Sequence, residues 1–250
     1  PYMRQGLTLR FEGKVASRPY IQMTIELMRH FGARVDWQGD TITVAPGSYR
    51  PASYTVESDW SAASYWYEIV ALSADPDAWV SLPGLQSDSL QGDSCVADWF
   101  ARLGVSTEYH SEGVVLRKTQ ADKSPLQLDF SLSPDLAQTL VVTCCLLGVP
   151  FEFSGLESLK IKETDRIAAL CSECAKLGFV LEEPAHGCLR CDSRRPAVPC
   201  QAEIETYDDH RMAMAFAPAV LTGTALNILC PGVVSKSYPD FWKEFEQSAR

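Results

Sequence analysis

The sequence predicts an α/β protein assembled from a repeated unit of strand, helix, strand, helix, strand, strand. Three observations predict it: amphipathic helices that recur at a near-constant step and each end at a glycine, a strand pair after each of those glycines, and helices of small residues interleaved between them.

The amphipathic helices are read within 25–37, 99–109 and 173–182. Their closing glycines, Gly32, Gly104 and Gly178, lie 72 and 74 residues apart, and each fits the position just past a helix where the backbone turns left-handed. Turn glycines Gly39, Gly113 and Gly187 follow in the same register. They precede runs such as Thr41-Ile-Thr-Val44 and Val114-Val-Leu116, which read as return strands. A fourth helix of this kind is read at 238–249. The small-residue helices fall within 57–66, 129–140 and 206–216, each after an acidic or hydroxyl-bearing turn. Small side chains suit close packing in an interior. Ser133 ahead of Pro134, and Asp208 or Asp209, have the chemistry of helix N-caps.

The unit is expected three times over 54–250, whereas residues 1–53 hold only the second half of one more. A single helix with a few strands cannot bury its apolar face alone. Residues 1–53 are therefore expected to be the last part of a first lobe, and 54–250 a second lobe of three βαβαββ units, with the stretch Pro46-Gly-Ser-Tyr-Arg-Pro51 as the crossing. On this reading the chain is the C-terminal part of a longer protein.

Composition narrows the function classes. At 250 residues and 46% apolar content the chain can bury one large core or two modest ones. A net charge of −10 lacks the basic footprint that nucleic acid or an anionic membrane requires, so neither is an expected partner and any phosphate site must be local. The sequence has no apolar run near the ~18 residues of a membrane span, and no signal-peptide pattern. Nine scattered cysteines fit reduced thiols in a cytoplasmic protein better than a disulfide framework. Two pairs, Cys171-Ser-Glu-Cys174 and Cys188-Leu-Arg-Cys191, have the look of a zinc ribbon. The repeat argues otherwise. The first pair falls on a helix, where both thiols share the core face, and the second in a strand, where residues three apart point to opposite faces. No metal is expected.

The densest chemistry is Lys162-Glu163-Thr164-Asp165-Arg166, four charges in five residues where a strand-like run over 151–161 gives way to a helical pattern over 167–177. Read as helix, Lys162, Glu163 and Arg166 share one face at the positive end of the helix dipole. Two readings follow: an anion site with an acid/base built in, or a cap by Thr164 or Asp165 with solvated charges.

Four segments taken together, Lys162-Glu-Thr-Asp-Arg166, Asp209-His-Arg-Met-Ala-Met214, Ser17-Arg-Pro-Tyr20 and Lys236-Ser-Tyr-Pro-Asp240, resemble the 5-enolpyruvylshikimate-3-phosphate (EPSP) synthase family. Supporting pieces are Tyr54-Thr-Val-Glu57 with Ser61-Ala-Ala-Ser-Tyr65, the Gln91-Gly-Asp93 turn and Pro134-Asp-Leu-Ala-Gln-Thr-Leu140. They run in order over most of the chain. The sister family of UDP-N-acetylglucosamine enolpyruvyl transferases is the weaker match. The resemblance implies the enolpyruvyl transferase fold, an inside-out, two-lobed α/β barrel of βαβαββ units with substrates between the lobes. It implies transfer of the enolpyruvyl group of phosphoenolpyruvate to the 5-hydroxyl of shikimate 3-phosphate, releasing phosphate, with no metal or organic cofactor.

Residue by residue, the resemblance implies Asp129 as general base near the 5-hydroxyl, Glu163 as the carboxyl that exchanges a proton with the methylene, and Lys162 at the shikimate hydroxyl. It implies Arg166, Arg211, Lys236 and His210 for phosphoenolpyruvate, and Ser17, Tyr20, Asp129, Ser158 and Lys162 for shikimate 3-phosphate. Ser158 stands where the family usually has an asparagine, and Trp60 where a small residue is usual. The family's other phosphate-binding cations belong to a first lobe that would precede Pro1, so the chain alone is expected to be inactive. The competing expectation is a non-catalytic lobe of the same fold that binds phosphorylated ligands or a partner.

Overall fold

The computed structural model describes residues 1–248 apart from 14, 16 and 195–200. The first segment is a three-stranded antiparallel sheet, β1 (Leu7–Arg10), β2 (Val35–Gln38) and β3 (Thr41–Val44), in the order β1-β3-β2, with helix α1 (Arg18–His30) connecting β1 to β2. Alternation along β3 buries Ile42 and Val44, which join Ile25, Ala33 and Val35 in a small apolar cluster. Gly32 follows α1 at φ 88°, and Gly104 and Gly178 hold the equivalent places at 90° and 86°, the left-handed stop read from the repeat.

The remaining chain forms a second, much larger core. Its first unit is α2 (Trp60–Leu72), β4 (Trp79–Pro83), α3 (Val96–Arg102), β5 (Val105–His110) and β6 (Gly113–Lys118), with an antiparallel sheet ordered β4-β6-β5. The second is β7 (Leu126–Asp129), α4 (Ala137–Leu147), β8 (Phe151–Ser154), α5 (Arg166–Lys176) and β9 (Leu189–Cys191), with β7 and β8 parallel and β9 antiparallel to β8. The third is β10 (Gln201–Ile204), α6 (His210–Phe216), β11 (Ala225–Ile228) and α7 (Phe241–Ser248), with β10 and β11 parallel. The small-residue helices α2, α4 and α6 pack on one another. In α4 every residue from Ala137 to Leu146 is buried. A helix buried on all sides is interior, so α2, α4 and α6 form the inside of the lobe, with the sheets and the amphipathic helices around them, the inside-out arrangement expected.

Several expected elements differ. Residues 54–57 form no strand: Val56 is exposed, and Glu57 instead accepts hydrogen bonds from Trp60 Nε1 (2.7 Å), Ser89 Oγ (2.7 Å) and Gln91 Nε2 (3.1 Å). Trp60 itself is fully buried at the start of α2. The strand expected after Gly178 is reduced to a single bridge, Glu182 with Arg190. The run over 151–161 is strand only to Ser154; Gly155 (φ 74°) turns the chain into a 3₁₀ turn, Glu157–Ile161. Among the described residues the third unit ends at α7 without a closing strand pair. That helix begins at Phe241, after Tyr238, and Ala249 lies outside the described residues. No described helix is long and apolar enough to cross a membrane.

Candidate active site

Local capping delivers the charged side chains to one place. Asp165 caps α5 by accepting from Ala168 N (3.0 Å), so Arg166 is the first helical residue. Asp209 caps α6 by accepting from Arg211 N (2.9 Å), which sets His210 and Arg211 in its first turn. Asp135 lies in the 3₁₀ turn Pro134–Leu136 that leads into α4, and Lys236 ends the 3₁₀ turn Pro231–Lys236.

Arg166 is the hub. Its side chain is 2% exposed and is held by three carboxylates: Nε donates to Asp209 Oδ2 (2.6 Å), Nη1 to Asp135 Oδ1 (3.2 Å) and Nη2 to Glu163 Oε2 (2.8 Å). A guanidinium cannot be buried without such partners, and its planar fork suits several oxygens at once. Asp135 sits among the remaining cations, with Arg211 Nη2 at 3.0 Å and Lys162 Nζ at 3.5 Å, and Tyr20 OH reaches it from α1 at 3.5 Å. Burial would raise the Asp135 carboxyl, but Arg211, Lys162 and Arg166 outweigh it and hold the group below the usual carboxylate range. Glu163 bridges Lys236 Nζ (2.8 Å) and Arg166; the Lys236 hydrogen bond, followed by its own backbone N–H and Arg166, pulls it down to about 2. Lys236, and not the adjacent Lys162, is the first cause of that low value.

Two further groups border the cluster. Burial and then Arg211 lower the pKa of His210, so its ring is neutral at pH 7; its buried Nδ1 lies 4.0 Å from Asp209 Oδ1 and makes no hydrogen bond. Asp93, in the Gln91-Gly92-Asp93 turn, accepts from the Ser61 hydroxyl, while its buried Oδ1 has no partner and burial pushes the carboxyl up to about 6. Four cations, Lys162, Arg166, Arg211 and Lys236, thus face three carboxylates, Asp135, Glu163 and Asp209, with Asp93 a fourth acid near Arg211, so the charges of the cluster nearly balance. An incoming anion exchanges partners rather than filling a bare cationic hole. Exchange is easiest at Lys236, 55% exposed, and hardest at Arg166.

The structure brings together Lys162, Glu163, Arg166, Arg211, Lys236, His210 and Tyr20 from the sequence-predicted set. The reason differs from the one read: Lys162 has extended backbone and α5 starts at Arg166, so a loop and not one helix face assembles the motif. Ser17 precedes α1 at φ 53° without a side-chain cap, and Ser158 is half-buried in the 3₁₀ turn Glu157–Ile161. Asp129 is exposed at the end of β7, and its Oδ1 closes a turn by accepting from Ser131 N (2.9 Å) and Ser131 Oγ (2.6 Å); Asp135, six residues on, is a carboxylate on which Arg166, Arg211 and Lys162 converge. Asp135, Asp209 as an ion-pair partner and Asp93 were missed. For Asp135 and Asp209 the repeat carried a signal, because Asp59, Asp135 and Asp209 stand one or two residues before α2, α4 and α6.

Of the four cysteines in the zinc-like pattern, Cys171 and Cys174 lie on α5, and Cys188 and Cys191 lie just before and at the end of β9. Among the described residues no group of three or more His, Cys, Asp or Glu is disposed to hold a metal ion.

The profile of the family described as EPSP synthase (3-phosphoshikimate 1-carboxyvinyltransferase) matches residues 1–245. A 3-phosphoshikimate 1-carboxyvinyltransferase of Bacteroides fragilis is 51% identical over 249 residues, covering 99% of this chain and 60% of the relative. One of Vibrio cholerae is 32% identical over 253 residues, covering 100% and 58%. Among solved structures, EPSP synthase from Acinetobacter baumannii superposes with a TM-score of 0.72 at 18% identity, over 98% of this chain and 57% of that one. The enolpyruvyl transferase NikO from Streptomyces tendae does so with 0.69 at 16% identity, over 98% and 56%. The chain spans about 60% of the length of the curated relatives it matches. The fold is that of the enolpyruvyl transferases, and by the match over residues 1–245 this chain belongs to the EPSP synthase family.

Proposed function

We propose that this chain supplies a large part of a site that transfers the enolpyruvyl group of phosphoenolpyruvate to the 5-hydroxyl of shikimate 3-phosphate and releases phosphate, a step of the shikimate pathway toward chorismate. In this reading residues 1–53 close a first lobe, 54–250 form the second, and the rest of the first lobe corresponds to the length of the relatives that the chain does not span. The enzyme so completed works in the cytoplasm. The observation that carries the reading is the position of Asp135, a buried-edge carboxylate ringed by Arg166, Arg211, Lys162 and Tyr20.

Asp135 is the general base for the 5-hydroxyl in place of Asp129, since the cations keep it ionised and able to accept a proton. Lys162 binds the same hydroxyl. Arg166, Arg211 and Lys236, with His210 beside them, hold the carboxylate and phosphate of phosphoenolpyruvate. Glu163 exchanges the methylene proton once substrate takes Lys236 from it, which removes the main cause of its depressed pKa and lets the carboxyl hold a proton. Tyr20, with Ser17 and Ser158, contacts shikimate 3-phosphate.

The test pairs the chain with a segment matching the uncovered part of the Bacteroides fragilis relative and measures phosphate release with both substrates. Asp135→Asn is expected to lower turnover by about 100-fold or more, the usual worth of a positioned base, and Asp129→Asn by less than about 10-fold. Full turnover in Asp135→Asn would return the base to another residue.

A further inference from the structure

Two consecutive residues ahead of α6 hold a backbone that neither favours. Tyr207 and Asp208 stand at φ 53° and 55°, in the left-handed region that a bulky residue such as tyrosine seldom enters. They lead directly into Asp209, the cap that sets His210 and Arg211 in the first turn of α6. The turn's own hydrogen bonds are local, Asp209 N to Thr206 O (2.8 Å) and Tyr207 N to Glu205 Oε1 (3.3 Å). Such a conformation persists where its surroundings over-determine it.

Helix α5 supplies those surroundings. At its start Arg166 Nε donates to Asp209 Oδ2 (2.6 Å). Seven residues on, the fully buried Glu173 accepts from Tyr207 OH at Oε1 (2.8 Å) and from Glu205 N at Oε2 (3.0 Å). Seven residues are close to two helical turns, so Arg166 and Glu173 share one face of α5, about 10 Å apart along its axis. The segment 205–209 is laid along that face and fixed at both ends. Lys176 strengthens the far anchor, since its Nζ donates to Glu173 Oε2 (2.7 Å) and to Glu203 O (3.0 Å). The strained pair lies between the two anchors.

We propose that Glu173 is a positioning residue: through Tyr207 and Glu205 it holds the strained turn that aims Arg211, and so sets the affinity of the site for phosphoenolpyruvate. The ligand named here rests on the function proposed for the chain; the anchoring of the turn does not. Without the anchor, residues 207 and 208 relax out of the left-handed region and Asp209 turns with them. Arg211, which reaches Asp135 O at 3.2 Å and Asp135 Oδ2 at 3.0 Å, then loses its fixed direction. An arginine fork binds a carboxylate or phosphate through two oxygens only while it is held in register.

The test combines amide hydrogen exchange with steady-state kinetics of the chain paired with the segment that completes it. Glu173→Leu is expected to speed exchange over 203–211 and to raise KM for phosphoenolpyruvate about 10-fold, with kcat and KM for shikimate 3-phosphate within about 2-fold, the signature of lost ground-state binding. Glu173→Gln keeps an acceptor for Glu205 N and should raise that KM by less than about 3-fold. Tyr207→Phe removes a single hydroxyl, carries little folding risk, and should show the same split at about 3-fold. In an Arg211→Lys background Glu173→Leu should add less than about 2-fold, because the anchor acts through the arginine. Full additivity with Arg211→Lys, equal rises in both KM values, or unchanged exchange over 203–211 overturns the proposal. Wild-type protein without turnover sinks the proposed function and the named ligand with it, while the exchange result still upholds or overturns the anchor.

Discussion

Arg166 and Glu68 are both essentially inaccessible to water, yet one is surrounded by opposite charge and the other by none. Arg166 meets Asp209, Asp135 and Glu163. Glu68, on α2 between the inner helices, has no hydrogen-bond partner for either carboxyl oxygen, and Gln138 on α4 lacks partners for both amide atoms. The neighbouring Thr143 hydroxyl donates to the Thr139 carbonyl (2.7 Å). Burial therefore pushes the Glu68 carboxyl well above its usual range and leaves it neutral, while the site keeps its charges because each is paired. Paired charge can be exchanged for an incoming anion; unpaired polar groups in the helix core offer nothing to exchange.

The comparison breaks most sharply at Asp209. It is fully buried and is both the cap of α6 and the closest partner of Arg166. Asp209→Ala leaves a buried guanidinium short of its main counter-charge and is expected to cost about 3–5 kcal/mol in urea unfolding, the usual penalty for breaking a buried ion pair. A loss under about 1 kcal/mol would mean that Asp135 and Glu163 suffice, and that the site is not built on this pair.

Glu68 tests the opposite side. Its folded pKa lies above the unfolded value of 4.5, so the folded state binds the extra proton. Stability from this group is complete below about pH 4.5 and is lost as pH rises toward the folded value. Glu68→Met removes an unsatisfied buried carboxyl and should stabilise the lobe by about 1–3 kcal/mol at pH 8, with a smaller gain at pH 5. Equal gains at both pH values would show that Glu68 is not titrating, and a loss would show that it has a partner worth keeping.

How far each of these regions could be read from the sequence follows from how local its causes are. The glycine stops after α1, α3 and α5 depend on a few adjacent residues and stand where the repeat put them, and of the alternatives read at two helix starts the structure takes Asp165 over Thr164 and Asp209 over Asp208. The site's cations were legible because their motifs are dense and distinctive. Asp129 and Asp135 are a harder case: two acids six residues apart in turn-like sequence, with the same local chemistry. Ser133 Oγ donates to Gly92 O (2.9 Å), a contact 41 residues away in sequence, and helps fix the turn that presents Asp135. The same distance problem hides the loss of strand at 54–57, where Glu57 is taken up by Ser89 and Gln91, and the orphaned Glu68, which in sequence is one more residue of a helix that should be buried.

The smallest expected effect lies at the exposed rim of the site. Glu163 is 28% exposed and Lys236 55%, so water screens much of their attraction even at 2.8 Å. Glu163→Gln is expected to cost less than about 1 kcal/mol at pH 7, although the carboxyl is held down to about 2. A depressed folded pKa gives stability that is present above the unfolded value of 4.5 and lost as pH falls through about 2, so the variant should unfold less steeply with acid across that window. Urea midpoints of wild type and Glu163→Gln, measured at pH 7 and again near pH 3, should therefore converge on acidification. If they stay apart by the same amount, the carboxylate's role is packing rather than charge, and the rim would have to be grouped with the neutral helix core instead of with Arg166.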